Sequence, residues 1–122
     1  MKYILDTHVW LWWMAGEPLS SEASAAIANP ENDVYLSAVS VWEAAIKASL
    51  GKLDVPDTLM DESAQFEELT LSWAQAEAVR ELPLHHRDPF DRLLIAQGRT
   101  ESATVITRDH AYEDYDVDVM WA

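Results

Sequence analysis

The segment that most constrains the fold reads "HHRDPFDRLLIAQ" and spans residues 85–97. It places Asp88 directly before Pro89, and an acidic side chain before a proline in the first helical position is a typical helix N-cap. The apolar residues that follow predict a helix over residues 88–101, with one face buried. "ATVIT", residues 103–107, comes next and is typical of a buried strand. The segment therefore predicts the helix and second strand of a βαβ unit.

The same alternation of strand and helix continues on both sides of this segment. Further strands are predicted in "KYIL" (2–5), "DVYLS" (33–37), "LTLS" (69–72) and "DVDVMW" (116–121). Further helices are predicted in "THVWLWWMAG" (7–16), "LSSEASAAIANP" (19–30), "SAVSVWEAAIKASLGK" (37–52) and "WAQAEAVREL" (73–82). This alternation predicts an α/β fold, with a mostly parallel sheet covered by helices on both faces. The length of 122 residues fits one domain over residues 1–122.

The composition excludes several classes of protein. The chain has no cysteine, so it has no disulfide framework, thiolate metal site or cysteine nucleophile. It contains no run of about 18 uncharged apolar residues, so we expect no membrane span. Asp6 comes too early for the apolar part of a secretory signal. We therefore expect a cytoplasmic protein.

The charge of the chain is strongly negative. Twenty-two acidic residues oppose eight lysines and arginines, for a net charge of −14. Such a charge repels nucleic acid as a whole. All five arginines nevertheless lie between residues 80 and 108, around the opening segment. Chance clustering on a solvated surface and adaptation to a high-salt cytoplasm are both compatible with this distribution.

Four acidic residues lie where strands end or helices begin. Asp6 follows the first predicted strand and Asp109 follows "ATVIT", so both leave the same edge of a parallel sheet. Glu43 and Asp91 lie in the early turns of helices that can approach that edge. Carboxylates that face one cavity repel one another and raise one another's pKa, and a cation that prefers oxygen ligands relieves the repulsion. The sequence therefore predicts a site for Mg²⁺ or Mn²⁺ at these four acids.

Each of the four acids also has a purely structural interpretation. Asp6 suits the N-cap of the helix that begins at Thr7, and Asp109 suits the cap of a turn. Glu43 suits an ordinary solvent-facing position, and Asp91 suits an acid that interacts with the helix dipole. Only the joint placement of the four residues favours the metal site.

Four segments together resemble a known family. They are "ILDTHVWLWW" (4–13), "SAVSVWEAAIKASLGKL" (37–53), "HHRDPFDRLLIAQ" (85–97) and "TVITRD" (104–109). In this order and spacing they look like the PIN-domain ribonucleases, and in particular the VapC-type toxins of toxin–antitoxin pairs. The resemblance covers nearly the whole chain, and the combination is far more specific than any one segment.

The resemblance implies a three-layer α/β/α sandwich and an endoribonuclease that hydrolyses RNA with Mg²⁺ or Mn²⁺. It also implies a homodimer and a cognate antitoxin protein as partner. By position, the acids of the family that bind the metal and carry catalysis match Asp6, Glu43, Asp91 and Asp109. Asp88 corresponds to an additional acid outside this set. The alternative is an inactive module of the same fold that only binds protein.

Other side chains near these segments have open roles. The hydroxyl groups of Thr7 and Thr107 are suited to supporting the acids as polar neighbours. Three histidines suit either proton transfer or ordinary surface and core positions: His85, His86 and His110. Three arginines suit either RNA phosphates or salt bridges to acids: Arg87, Arg92 and Arg108.

Three tryptophans occupy one short predicted helix: Trp10, Trp12 and Trp13. The helix is apolar around most of its circumference, and such a helix usually buries a second face. We therefore predict that part of this segment lies in an interface with a second subunit or with the antitoxin.

Overall fold

The computed structural model describes residues 1–122 and has five parallel strands. The strands are β1 (Lys2–Leu5), β2 (Asp33–Ser37), β3 (Glu67–Leu69), β4 (Thr104–Thr107) and β5 (Val119–Trp121). The helices are α1 (Thr7–Met14), α2 (Ser21–Ala28), α3 (Ala38–Ser49), α4 (Leu59–Glu62), α5 (Trp73–Ala78) and α6 (Pro89–Thr100). Short 3₁₀ turns cover Ser63–Gln65, Val79–Glu81 and His110–Asp114. The predicted α/β fold is confirmed, and every strand pair is parallel.

The central strand β1 sends its side chains to two different cores. Tyr3 and Leu5 pack with Trp10 of α1. Ile4, between them, packs on the other face with Leu94 of α6. Because successive side chains of a strand point to opposite faces, β1 lies between two helical layers. The structure is therefore a three-layer α/β/α sandwich.

The order of the strands decides where a site can form. The sheet runs β3-β2-β1-β4-β5, so the chain moves outward from β1 first in one direction and then in the other. In open parallel sheets, the crevice beyond the carboxyl ends of the strands at such a reversal is the usual binding position. Here that crevice lies between the ends of β1 and β4.

Helix caps fix the positions of several site residues. The Asp88 carboxylate accepts hydrogen bonds from the backbone N–H groups of Phe90 at 2.8 Å and Asp91 at 3.3 Å. Asp88 is therefore the N-cap of α6, as the sequence predicts. Ser37 caps α3 through the N–H of Val39. On a separate point, none of the helices combines the length and the apolar character that a membrane span requires.

Three predicted boundaries are wrong. The strand predicted at residues 69–72 lies at Glu67–Leu69, because it pairs with β2 over residues 35–37. The strand predicted from residue 116 begins at Val119. The helix predicted over residues 73–82 stops at Ala78 and continues as a 3₁₀ turn.

Candidate active site

Asp6 leaves the end of β1 and turns toward the end of β4. It occupies the N-cap position of α1, but its side chain makes no capping hydrogen bond. Its Oδ2 instead accepts a hydrogen bond from Thr107 Oγ1 at 2.7 Å, and the residue is only 5% exposed. The same threonine oxygen accepts from the backbone N–H of Asp109 at 3.0 Å. Asp6 therefore holds the predicted N-cap position without a side-chain cap, and Thr107 connects the two acids that follow adjacent strands.

Asp91 projects from the first turn of α6. Its Oδ1 accepts a hydrogen bond of 2.9 Å from the hydroxyl of Tyr112, a fully buried side chain. Burial raises the pKa of Asp91 to about 7, and the negative charge of Asp6 adds to the increase. Burial is also the main cause that raises the pKa of Asp6, and Glu43 contributes to that increase. The acids from β1, α3 and α6 are therefore close enough to repel one another.

His86 lies between two of the acids. Its Nε2 is 2.8 Å from Asp91 Oδ2 and 3.1 Å from Asp109 Oδ2. One donor atom from each of the three residues lies within 4.8 Å of the others, so the group could hold a metal ion. The sequence left His86 between a proton-transfer role and an ordinary position, and the structure places it inside the acidic cluster.

Asp109 has two roles at once. Its Oδ1 accepts from the backbone N–H of Ala111 at 3.0 Å and so caps the 3₁₀ turn, which confirms the turn-cap interpretation. Its Oδ2 is the atom that faces His86. The turn cap therefore orients the carboxylate toward the cluster rather than competing with it.

Glu43 is buried on α3, not exposed to solvent. Its side chain is only 4% exposed, and Lys47 Nζ lies 2.6 Å from its Oε2. The pKa of Lys47 is raised, mainly by this hydrogen bond and further by the charges of Asp88 and Asp91. Near this position, Thr7 Oγ1 donates to Ser40 Oγ at 2.9 Å and connects α1 to α3. The solvent-facing interpretation of Glu43 is wrong.

The acids open into a cavity of about 460 Å³. It is lined by Asp6, His8, Trp12, His86, Asp88, Asp91, Arg108 and Asp109. Glu43 is not among these residues and contacts Lys47 instead. The sequence placed Asp6, Asp91 and Asp109 together at this edge correctly, but gave no role to Tyr112. The only indication in the sequence that Tyr112 belongs to the site is its position three residues after Asp109, within one helical turn.

The arginines near the site serve different purposes. Arg92 donates to four backbone carbonyls at 3.0–3.4 Å, those of Val79, Leu82, Pro83 and His86. Arg108 donates to the carbonyls of Ala122 at 2.9 Å and Pro18 at 2.7 Å. The sequence left two roles open for these arginines, binding of RNA phosphates and salt bridges to acids. The observed contacts to main-chain carbonyls match neither role. Arg87 is exposed and lines a separate cavity with Arg92.

The three tryptophans of α1 are used mostly inside the structure. Trp10 is fully buried and donates to Ser63 Oγ at 2.9 Å. Trp13 donates to Gln65 Oε1 at 3.2 Å. Trp12 is half-buried and lies under the Arg108 guanidinium. An interface at this segment remains a prediction.

Comparisons with known proteins agree with this architecture. The model of the PIN domain family matches residues 3–118. No curated protein matches the chain. A chain of VapBC2 from Rickettsia felis, bound to a DNA fragment from their promoter, has a TM-score of 0.76 at 15% identity, with 99% of this chain and 98% of that chain covered. A chain of DNA-bound VapBC from Salmonella typhimurium has a TM-score of 0.71 at 15% identity, with the same coverage.

A third solved structure, FitAcB from Neisseria gonorrhoeae, has a TM-score of 0.64 at 22% identity, with 97% of this chain and 96% of that chain covered. These likenesses establish a common fold. The family match spans nearly all of the sequence, from the first strand to the turn before β5. The chain therefore belongs to the PIN-domain family.

Proposed function

We propose that this protein is a Mg²⁺- or Mn²⁺-dependent endoribonuclease and acts in the cytoplasm as the toxin of a toxin–antitoxin pair. One observation carries the proposal. Acids from the end of β1, the end of β4 and the first turn of α6 meet in one cavity, at the point where the strand order reverses. Membership of the PIN-domain family supports nuclease chemistry at that point.

The side chains fit a divalent cation. Carboxylate oxygens are the ligands that Mg²⁺ and Mn²⁺ prefer. Burial raises the pKa of both Asp6 and Asp91, so their ionised forms are costly without a compensating positive charge. Asp6, Asp91 and Asp109 would hold the ion, with Glu43 as the fourth acid on α3. When bound, the ion would lower the pKa of a water molecule and neutralise charge on the leaving oxygen.

Other residues of the chain orient these ligands. Thr107 holds one oxygen of Asp6, and Tyr112 holds one oxygen of Asp91. The contact with Thr107 uses only Oδ2 of Asp6, so its Oδ1 is left for the ion. Oδ2 of Asp91 contacts His86 Nε2 at 2.8 Å, so the ion would share this oxygen with the imidazole or displace it. His86 fixes the separation of Asp91 and Asp109. We propose that Arg87, which is exposed and follows His86 in sequence, contacts an RNA phosphate.

An RNA-cleavage assay tests the proposal. Purified wild-type protein should cleave single-stranded RNA with Mn²⁺ or Mg²⁺, and EDTA should abolish cleavage. Asp6→Asn and Asp91→Asn should each reduce cleavage by at least 100-fold, on the order expected for loss of a metal ligand. Asp54→Asn is the matched control, because Asp54 is exposed and does not line the acidic cavity.

The result also separates the two functional interpretations. If the wild-type protein shows no metal-dependent cleavage of RNA, the inactive protein-binding module is the correct alternative. If Asp6→Asn and Asp91→Asn retain wild-type cleavage, the acidic cavity is not the active site. Circular dichroism of each variant confirms that the fold is intact.

A protein partner is the second part of the proposal. The solved structures with this fold include VapBC complexes, and VapBC-5 from Mycobacterium tuberculosis is described as a member of a family of toxin–antitoxin systems. An apolar cavity of about 480 Å³ between α3 and α4 exposes Trp42 and Met60, which suits protein contact. Co-expression with the small protein from the adjacent reading frame should yield a stable complex and relieve the growth inhibition that the toxin causes alone.

The proposed homodimer needs a separate test. Size-exclusion chromatography with light scattering measures the mass of the purified protein in solution.

A further inference from the structure

The guanidinium of Arg108 lies over the ring of Trp12. Its Cζ lies 4.3 Å from the centre of the tryptophan ring. Its Nε donates to the carbonyl of Ala122 at 2.9 Å, and an Nη donates to the carbonyl of Pro18 at 2.7 Å. Contacts from the C-terminal residue and from the loop after α1 thus fix the plane of the group before any ligand binds.

This pair lies in the wall of the acidic cavity. Arg108 stands between Thr107 and Asp109 in sequence, and both Arg108 and Trp12 line the same cavity as Asp6. Arg108 is exposed although two of its donors are engaged. A cationic surface is therefore available in the same cavity as the carboxylates.

Arg108 forms no ion pair with the side chain of an aspartate or glutamate. Its donors go to main-chain oxygens, although the chain carries a net charge of −14. Arg108 is also the one lysine or arginine that lines the acidic cavity. Phosphate contact alone does not explain the arrangement, because the carbonyl contacts use donors that would otherwise form a fork for phosphate.

A planar, pre-oriented guanidinium is suited to stacking. Unpaired bases of single-stranded RNA stack on aromatic rings and on arginine planes, and the contact tolerates any base. The cavity of about 460 Å³ lies within the range of about 300–1,000 Å³ that small-ligand sites occupy.

We propose that Arg108, supported by Trp12, forms a stacking site for an unpaired nucleobase next to the phosphate that is cleaved. This inference rests on the proposed ribonuclease function and adds to it a contact for an unstacked base of the single-stranded RNA. It also explains how a strongly acidic protein holds RNA: base stacking replaces part of the missing electrostatic attraction.

Equilibrium binding tests the stacking site. Fluorescence anisotropy in Ca²⁺ compares a short single-stranded RNA with a sugar–phosphate chain of equal length that has no bases. The wild-type protein should bind the RNA about tenfold more tightly than the chain without bases. Arg108→Lys keeps the charge but loses the plane, so this ratio should fall to about two.

The matched control is Arg99→Lys. Arg99 is exposed in the last turn of α6, about 12 Å along the helix from Asp91, and it does not line the acidic cavity. This variant should keep the wild-type ratio. Should Arg108→Lys lower the unfolding temperature strongly, Trp12→Phe is the second variant. It keeps a half-buried aromatic ring but presents a smaller support to Arg108, and it should also lower the ratio.

The outcomes separate the two proposals. An unchanged ratio in both Arg108→Lys and Trp12→Phe overturns the stacking site, as does a wild-type protein that binds both ligands equally. A parallel loss of affinity for both ligands overturns it too, because it indicates a charge or folding effect. Failure of the ribonuclease proposal appears separately, as wild-type protein that does not cleave RNA in Mn²⁺.

Discussion

The hydroxyl of Tyr112 donates to Asp91 Oδ1 across 2.9 Å, between two residues that are 21 positions apart. Tyr112 is fully buried, and its own pKa is raised well above the ordinary value by burial and by the charges of Asp6 and Asp91. It therefore stays a hydrogen-bond donor throughout the physiological pH range. The bond stabilises the ionised form of Asp91 against the burial that favours the protonated form.

Replacing Tyr112 with phenylalanine removes this donor and keeps the ring in the core. We expect the free energy of unfolding to fall by about 1–2 kcal/mol. The pKa of Asp91 should rise further, so Mn²⁺ affinity at neutral pH should fall and recover at higher pH. Calorimetric titration with Mn²⁺ at several pH values measures this. An affinity loss that is equal at every pH would indicate a general packing defect and contradict the assigned role.

Thr107 offers a second test of how the acids are held. Thr107→Val removes the donor to Asp6 and the acceptor for the backbone N–H of Asp109, while the side chain keeps its shape. We expect a loss of about 1–3 kcal/mol in stability and a weaker metal site, because a buried N–H is left without a partner. Thr107→Ser keeps the hydroxyl and should retain most of both properties. Urea unfolding and Mn²⁺ titration compare the two variants.

The pH dependence of stability follows from Asp91. Its pKa is raised from 3.8 to about 7 in the folded chain, so between these values the folded state binds a proton that the unfolded state has lost. Without metal, the free energy of unfolding should therefore fall as the pH rises through this range. Asp91 should contribute a decrease on the order of 2–4 kcal/mol. Thermal unfolding in EDTA measures the slope. Asp91→Asn should reduce the slope of stability against pH. An unchanged slope would mean that a group other than Asp91 titrates in this range.

Two arginines of the same segment should behave differently on substitution. Arg92→Gln removes the donors to the carbonyls around Pro83, so it should lower the unfolding temperature. Arg87→Gln changes an exposed side chain. It should leave the unfolding temperature unchanged and reduce the salt dependence of RNA binding by about one ionic contact. The reverse pattern in thermal unfolding and salt titration would contradict both assignments.

Local sequence determined most of the fold and the acidic edge. The Asp88–Pro89 pair marks the start of α6 through a rule that acts within four residues, and the structure follows it. The positions of Asp6 and Asp109 follow from strand order, which the alternation of strands and helices already implies. In both cases the deciding interactions are local or topological.

The remaining features depend on tertiary contacts. β3 has only three residues, two of them exposed glutamates, so its position is set by pairing with β2 rather than by its own composition. His86 enters the cluster because Asp109 and Asp91 approach it from elements that follow it in the chain. Arg92 meets carbonyls of an irregular segment, which no sequence pattern marks.

The central claim is that Asp6, Glu43, Asp91 and Asp109 form one site for a divalent cation. Equilibrium binding of Mn²⁺, followed by the paramagnetic resonance signal of the free ion, tests it without any substrate. The wild-type protein should bind Mn²⁺, and each of Asp6→Asn, Glu43→Gln, Asp91→Asn and Asp109→Asn should weaken binding by about 10- to 100-fold, while Asp54→Asn, at an exposed acid outside the cavity, should not. Binding that persists unchanged in all four variants, or that falls as strongly in Asp54→Asn, would contradict the claim.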